Sequence, residues 1–111
     1  MDSPRITGRT AVPGEASGKI CIIITSADVH LVEDGDILVT PMTDPDMVPA
    51  MLRASAVVTD RGGRLCHAAI VCREILKPCV VGCVSATKAL ADIAEARVSA
   101  LTQVGAIYTI S

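Results

Sequence analysis

Aromatic side chains are almost absent from this sequence: Tyr108 is the one aromatic residue, and there is no Trp and no Phe. A hydrophobic core must therefore be built from Ile, Val, Leu, Ala and Met, and half of the 111 residues are apolar. The frequent Val and Ile side chains favour pleated strands. The length is close to the common size of one domain, so residues 1–111 are predicted to form a single domain.

Concentrated charge and long apolar runs are also lacking. The formal net charge is −2, and acidic and basic residues are mixed along the chain. Because there is no basic run and no interleaving of basic with aromatic residues, we expect no nucleic-acid partner. The longest strongly apolar run, residues 20–24, is far shorter than the ~20 residues that a membrane helix needs, so we expect no membrane partner either.

The cysteines favour a reduced, cytoplasmic protein. There are five of them, an odd number, and the first residues do not resemble a secretory signal. Cys79 and Cys83 have a C-x₃-C spacing, but no second Cys or His pair follows at zinc spacing, so no metal site is expected. Buried thiols that act as small apolar groups are the simpler interpretation.

Strands and helices are predicted to alternate along the chain. Residues 1–17 are rich in Gly and Pro and are predicted to be an irregular lead-in, with a short strand at most at residues 10–12. Strands are predicted at residues 19–25, 37–40, 56–59, 79–82, 98–101 and 106–110, and helices from Pro45, from Cys66 to before Pro78, and at residues 85–94. This alternation predicts an α/β layered domain.

His67 is the first candidate for chemistry, because it follows a strand and a Gly-Gly loop and begins a helix. The first N–H groups of a helix have no partners within it, and the helix dipole is positive there, so a phosphate is stabilised at such a place. Glycines in the loop let the backbone approach oxygen atoms, and Arg64 adds a positive charge. A neutral imidazole is nucleophilic. From these residues alone, a histidine that only caps the helix or lies satisfied at the surface is the more common case.

Longer motifs favour the chemical interpretation. Residues 59–74 (TDRGGRLCHAAIVCRE) and 78–82 (PCVVG) closely resemble the phosphohistidine signature of PEP-utilising enzymes. These enzymes include phosphoenolpyruvate synthase, pyruvate phosphate dikinase and enzyme I of the sugar phosphotransferase system. The pairs Cys66-His67 and Gly82-Cys83 look most like phosphoenolpyruvate synthase, and residues 13–19 and 38–46 resemble the same family.

The resemblance implies a compact, single-domain β/β/α swivelling fold in which His67 is phosphorylated on Nε2. The domain would accept and donate the phosphoryl group between two sites on other domains or subunits. One site would lie on a barrel that binds PEP or pyruvate, and the other on an ATP-binding domain if ATP takes part. The resemblance assigns Mg²⁺ to these partners and no cofactor to the domain itself.

The same resemblance assigns roles to residues around the histidine. Gly62, Gly63 and Cys66 would shape the phosphate pocket and donate to it, with Arg64 as a nearby charge. Thr40 matches the family threonine expected to form a hydrogen bond with the histidine and fix its orientation.

The sequence departs from the family pattern in three places. Leu65 stands where the family usually has a hydroxyl residue, residues 75–77 replace the usual Leu-Gly-Ile, and the segment after Ala89 lacks an Asp-Gly turn.

Three functions therefore compete at this stage. The first is a phosphotransferase component that is not self-sufficient, because the chain has no Walker loop and is too short for a (β/α)₈ barrel. It would be either a piece of a larger enzyme or a separate carrier. The second is a non-catalytic regulatory or binding module that keeps the fold. The third is a thiol-dependent hydrolase using Cys66. The other histidine, His30, is expected at the surface.

Overall fold

The structure is a computed structural model that describes residues 3–110. The strands in this part of the chain are β1 (Ile6–Val12), β2 (Gly14–Ile22), β3 (Ile37–Thr40), β4 (Ala56–Thr59), β5 (Cys79–Val81), β6 (Glu95–Ala100) and β7 (Val104–Thr109). The α-helices are α1 (Val48–Arg53), α2 (His67–Ile75) and α3 (Ala86–Ala89), and 3₁₀ turns occur at Ser26–Leu31 and Pro45–Met47.

The predicted α/β layered fold, a β/β/α swivelling domain, is wrong for this chain. The strands form one closed barrel in the order β1-β5-β4-β3-β2-β6-β7, and β7 pairs with β1 to complete it. Strands β2 to β5 are parallel neighbours, while β1, β6 and β7 pair antiparallel. The α/β alternation holds only from β3 to β5, where α1 and α2 connect parallel strands.

The first residues explain much of this difference. They form β1 and the first four residues of β2 instead of an irregular lead-in. Their glycines mark places where strands pack closely: a Cβ on Gly8 would lie 2.5 Å from Cys83 Sγ, and a Cβ on Gly18 would collide with the Gly35 carbonyl oxygen. Glycine within a strand often has this role, so a Gly-rich segment need not be a loop.

Two hydrophobic clusters lie on the two sides of the parallel strands. Alternate residues such as Val39, Val58 and Val80 point into the barrel, where β6 and β7 also contribute side chains. Their neighbours, such as Leu38 and Val57, pack beneath α1 and α2. Because both faces of β3, β4 and β5 are buried, these strands appear in the sequence as short continuous apolar runs.

The remaining elements differ in smaller ways. The helix predicted at residues 85–94 has only the four residues of α3. Ala86 and the following residue, Leu90, are buried in the cluster inside the barrel. His30 is exposed in the first 3₁₀ turn, as expected. Within residues 3–110, no helix has the length and apolar character needed to cross a membrane.

Candidate functional site

The loops that follow β3 and β4 lie side by side at one end of the barrel. Thr40 and Thr59 are register partners at the carboxyl ends of these parallel strands. Beyond them, the Asp60 N–H donates to the Thr40 carbonyl at 3.2 Å, and the Arg61 N–H donates to the Pro41 carbonyl at 3.1 Å. The segment before α1 is therefore held against the segment that leads into α2.

This arrangement brings Thr43 to His67. A hydrogen bond of 2.8 Å joins Thr43 Oγ1 and His67 Nδ1. Thr43 is buried, whereas the histidine is half-buried as the first residue of α2. With Nδ1 engaged, Nε2 is the ring nitrogen for which residues 3–110 provide no hydrogen-bond partner. The ring is therefore oriented from one side by a buried hydroxyl group.

The predicted hydrogen bond between Thr40 and the histidine is wrong, because Thr43 forms the contact with the ring. The fully buried Thr40 hydroxyl donates instead to the Met42 carbonyl, at 3.3 Å. The residue that caps the following 3₁₀ turn is Asp44, whose Oδ1 accepts from the Asp46 N–H at 2.9 Å, so the Thr43 hydroxyl is left for the ring. The chain turns at Pro41 after β3, and this turn decides which threonine faces the ring.

The start of α2 carries unpaired backbone donors, as the sequence predicted. The Ile70 N–H donates to the Cys66 carbonyl at 3.0 Å, which is the first bond of the helix. Within the described residues, the N–H groups of His67, Ala68 and Ala69 have no acceptor. The same is true of residues 62–65 in the loop, while Cys66 donates to the Gly63 carbonyl. A run of free donors at a positive helix end suits an anion.

The two glycines of the loop have different surroundings. Gly62 has a φ of +111°, and a Cβ there would lie 2.8 Å from both Cys66 Sγ and Met42 Cε. Gly63 has no heavy atom within 4 Å of its Cβ position. Glycine at position 62 is therefore required by the fold, whereas at position 63 it leaves open space next to the unpaired donors.

The loop is fixed by contacts on either side of the glycines. The Asp60 carboxylate accepts from the Thr87 N–H at 2.9 Å and from the Thr87 hydroxyl at 2.6 Å. The Arg73 guanidinium donates to the Arg64 carbonyl at 3.1 Å. The exposed Arg64 side chain lies beside Gly82, where an open cleft begins, and makes no hydrogen bond with the histidine.

The thiols do not form a nucleophile–base pair with the histidine. Cys66 is the N-cap residue of α2, and no hydrogen bond joins its Sγ to the His67 ring in residues 3–110. Burial, reinforced by the Asp60 carboxylate, raises the pKa of the Cys83 thiol to about 12. A hydrogen bond with Cys72, together with burial, raises the pKa of the Cys79 thiol. All five cysteines are free.

The described residues contain no cluster of three or more His, Cys, Asp or Glu side chains placed to hold a metal ion.

Curated relatives resemble the chain over most of its length. It is 59% identical over 87 residues to a probable phosphoenolpyruvate synthase of Archaeoglobus fulgidus, which covers 78% of this chain and 12% of that protein. It is 55% identical over 85 residues to the phosphoenolpyruvate synthase of Pyrococcus furiosus, covering 77% and 10%. The Escherichia coli phosphoenolpyruvate synthase is 51% identical over 76 residues, covering 68% and 10%. The chain thus spans about a tenth of the length of these relatives.

Solved structures share the fold at low sequence identity. The holo-form of Thermococcus kodakaraensis aconitase X superposes with a TM-score of 0.62 at 18% identity, covering 92% of this chain and 96% of that one. The solution structure of an Enzyme I protein gives a TM-score of 0.55 at 24% identity, covering 72% and 33%. At these identities the likeness concerns the fold alone.

The family is decided by the sequence itself. Residues 32–103, from the segment before β3 to the turn before β7, match the family described as the mobile domain of PEP-utilising enzymes. This match includes the loops after β3 and β4 and the whole of α2. The resemblance found in the motifs is thereby confirmed, and the chain belongs to the mobile-domain family of PEP-utilising enzymes.

Proposed function

We propose that His67 is a phosphoryl carrier that accepts the group on Nε2 and passes it to an acceptor. The observation that carries the proposal is the hydrogen bond between Thr43 Oγ1 and His67 Nδ1 at the start of α2. It engages one ring nitrogen from the buried side and leaves the other without a partner in residues 3–110.

The tautomer decides whether this nitrogen can react. When the Nδ1–H donates to Thr43 Oγ1, Nε2 keeps its lone pair and is nucleophilic. When the Thr43 hydroxyl donates to Nδ1, the proton sits on Nε2 and the lone pair is lost. The proposal requires the first tautomer, in which the threonine oxygen accepts and favours the reactive form.

The backbone donors supply the charge stabilisation. The unpaired N–H groups of residues 62–65 and 67–69 surround the start of the helix, and the space above Gly63 is open. Oriented donors of this kind stabilise the oxygens of a phosphoryl group without reorganising. Cys66, Gly62 and Gly63 would shape this pocket through the backbone, with Arg64 as a nearby charge.

The transfer itself is a simple displacement. The Nε2 lone pair forms the N–P bond while the P–O bond of the donor breaks and its electrons leave with the donor oxygen. With PEP as the donor, the leaving group is the enolate of pyruvate, which takes a proton from solvent. The proton stays on Nδ1 throughout and continues to be donated to Thr43 Oγ1, and the reverse steps regenerate the free imidazole.

The chain would depend on partners for the rest of the cycle. It spans about a tenth of its phosphoenolpyruvate synthase relatives, so a PEP- or pyruvate-binding barrel and an ATP-binding domain or subunit are proposed to supply the two remote sites. Mg²⁺ is proposed to bind to those partners and not to residues 1–111, which act as one carrier domain.

A labelling experiment tests the proposal. The chain is incubated with ³²P-labelled PEP, Mg²⁺ and the barrel domain of a phosphoenolpyruvate synthase. We expect label that is acid-labile and base-stable, disappears in His67→Ala and persists in His30→Ala, the matched control at the other, exposed histidine. A ³¹P spectrum assigns the phosphoryl group to Nε2.

Other outcomes would point to the competing functions. The barrel domain must be shown to phosphorylate its own carrier domain. If it does so and this chain takes up no label, the regulatory or binding module is favoured. The exposed Leu65, which stands in place of a hydroxyl residue, is the feature that supports this module. Activity that is lost on alkylation of Cys66, with no phosphoprotein formed, favours the thiol-dependent hydrolase.

A further inference from the structure

A second site lies next to the loop that precedes α2. An open cleft of about 620 Å³ begins where β5 ends and is bordered by the start of β1 and the turn before β7. Its volume falls within the range of small-molecule sites, roughly 300–1,000 Å³. The residues that line it are Thr7, Gly8, Arg9, Arg64, Gly82, Gln103 and Val104.

The lining is positively charged and rich in donors. It contains two arginines and no carboxylate, in a chain whose formal net charge is −2. Thr7 and Arg9 are two residues apart on β1, and both are exposed on the outer face of the strand. Arg64 approaches from the loop before α2. The two guanidinium groups therefore come from separate elements, which suits a ligand with more than one anionic group.

None of these polar side chains has another partner. Within residues 3–110, the side chains of Thr7, Arg9, Arg64 and Gln103 make no hydrogen bond or ion pair. By contrast, Arg5, which precedes β1, is paired with Asp92, and Arg97 stacks on the Tyr108 ring, 4.4 Å from the centroid. The arginines of the cleft thus have unused hydrogen-bonding capacity.

We propose that this cleft binds a small oligophosphate through Arg9 and Arg64. The planar guanidinium group donates two parallel hydrogen bonds to a phosphate, and two such groups match two linked phosphates. The Gln103 amide and the Thr7 hydroxyl add neutral donors at the rim. With two guanidinium groups and no carboxylate in its lining, the cleft suits a compact ligand that carries two linked anionic groups.

The cleft site is independent of phosphorylation at His67. Arg64 is the one residue that it shares with the proposed phosphate pocket, and Arg9 belongs to the cleft alone. Arg9→Gln therefore separates the two sites, since it removes a charge from the cleft and leaves the loop and α2 unchanged.

The test is a titration of the ¹⁵N-labelled chain of 111 residues with inorganic pyrophosphate, followed by amide chemical shifts. We expect saturable shifts at Thr7, Gly8, Gly82 and Gln103. Arg9→Gln should weaken binding by about tenfold or more, the loss of one charge-assisted pair. The control Arg97→Gln, an arginine outside the cleft, should change the affinity by less than about twofold.

Four results would overturn the proposal. The first two are the absence of saturable shifts and shifts that are confined to residues 61–69. The third is an equal loss of pyrophosphate affinity in Arg9→Gln and Arg97→Gln. The fourth is that sodium sulfate, at matched ionic strength, binds to the cleft as well as pyrophosphate does. Tighter binding of a tetraglutamate peptide than of pyrophosphate would also replace the small ligand by a protein partner. The titration is repeated in His67→Ala. If His67→Ala binds pyrophosphate and the wild type forms no phosphohistidine, the cleft site is supported and the carrier function is rejected. If the wild type forms phosphohistidine and neither protein binds pyrophosphate, the carrier function is supported and the cleft site is rejected.

Discussion

At the scale of single residues, the contact between Thr43 and His67 orients the histidine ring. The Thr43 hydroxyl is buried, and the ring is its one hydrogen-bond partner within residues 3–110. Leaving a buried hydroxyl group without a hydrogen bond costs free energy. The contact therefore favours the ring orientation seen in the structure. The sequence predicted the histidine at the helix start correctly, because strand, Gly-Gly loop and helix follow one another directly. It did not reveal the threonine, because Thr40 and Thr43 flank the same turn.

Valine substitutions distinguish the two threonines. Thr43→Val removes the partner of Nδ1, so the ring loses the group that is proposed to favour a free Nε2 lone pair. We expect phosphoryl transfer to slow by roughly 10- to 100-fold, a typical effect of removing the hydrogen-bond partner that orients a functional histidine. The readout is the initial rate of ³²P incorporation, together with ¹⁵N shifts of the histidine ring that report its tautomer.

Thr40→Val is the control for this prediction, because its hydroxyl bonds the Met42 carbonyl and not the ring. Its tautomer ratio should equal that of the wild type. The assignment fails if Thr40→Val alters the ring shifts and Thr43→Val does not.

The two loop glycines separate folding from function. Gly62→Ala places a Cβ 2.8 Å from Cys66 Sγ at a φ of +111° and should lower the free energy of unfolding by about 1–3 kcal/mol. Gly63→Ala meets no atom within 4 Å and should change stability by less than about 1 kcal/mol. Urea denaturation measures both.

If Gly63→Ala is as stable as expected but is labelled more slowly, the open space above Gly63 is used in the reaction. Equal destabilisation by the two substitutions would contradict the difference in their surroundings.

At the scale of elements, helix α2 ends on an unfavourable residue. Leu76 adopts the left-handed conformation, with φ 59° and ψ 44°, and its side chain is 83% exposed. The Lys77 N–H donates to the Cys72 carbonyl at 3.0 Å, which closes the helix end in the way that usually employs glycine. The left-handed conformation costs a residue with a Cβ about 1–2 kcal/mol.

Leu76→Gly should therefore stabilise the protein. The gain from relieving the backbone exceeds the extra entropy of glycine in the unfolded chain, so we expect a net increase of about 0.5–1 kcal/mol in the free energy of unfolding. Leu76→Ala is the matched control, because it removes the exposed side chain and keeps the Cβ. A gain of the same size in both variants, measured by urea denaturation, would contradict the backbone explanation.

The elements that the sequence predicted best are those with a continuous apolar pattern. Strands β3 and β4 were predicted with their exact bounds, and α2 within a residue of its start, because two buried faces and clear flanking loops define them. Strand β1 was missed for the opposite reason. Its residues alternate between exposed and half-buried, and its glycine packs against Cys83. Barrel closure, which pairs residues about 100 positions apart, has no local signal.

At the scale of the whole molecule, the buried thiols make stability depend on alkaline pH. Below pH 9, the ordinary pKa of cysteine, Cys83 is neutral in both the folded and the unfolded chain. Above pH 9 the unfolded thiol ionises while the folded thiol, whose pKa is about 12, stays neutral. Unfolding then releases a proton, so stability is lost as pH rises from 9 towards 12.

Cys83→Ala should reduce this loss. The slope of the free energy of unfolding against pH should become shallower by at most about 1.4 kcal/mol per pH unit, the limit for one proton. Denaturant titrations between pH 8 and pH 11 measure the slope, and other alkaline groups cancel because both proteins share them. Identical slopes would show that Cys83 ionises equally in both states. Cys66→Ala serves as the control, because this thiol is half-buried beside the glycine loop.

Barrel closure has a further consequence for a domain that is proposed to move between partners. A carrier that repeatedly detaches exposes its surfaces to other proteins, and an unpaired strand at the side of a sheet is a template for aggregation. Here β7 pairs with β1, and the register runs from the pair Ile6–Ile107 to the pair Arg9–Val104. The closed sheet therefore has no unpaired edge strand. The domain can therefore leave a partner without offering its backbone to a neighbouring chain.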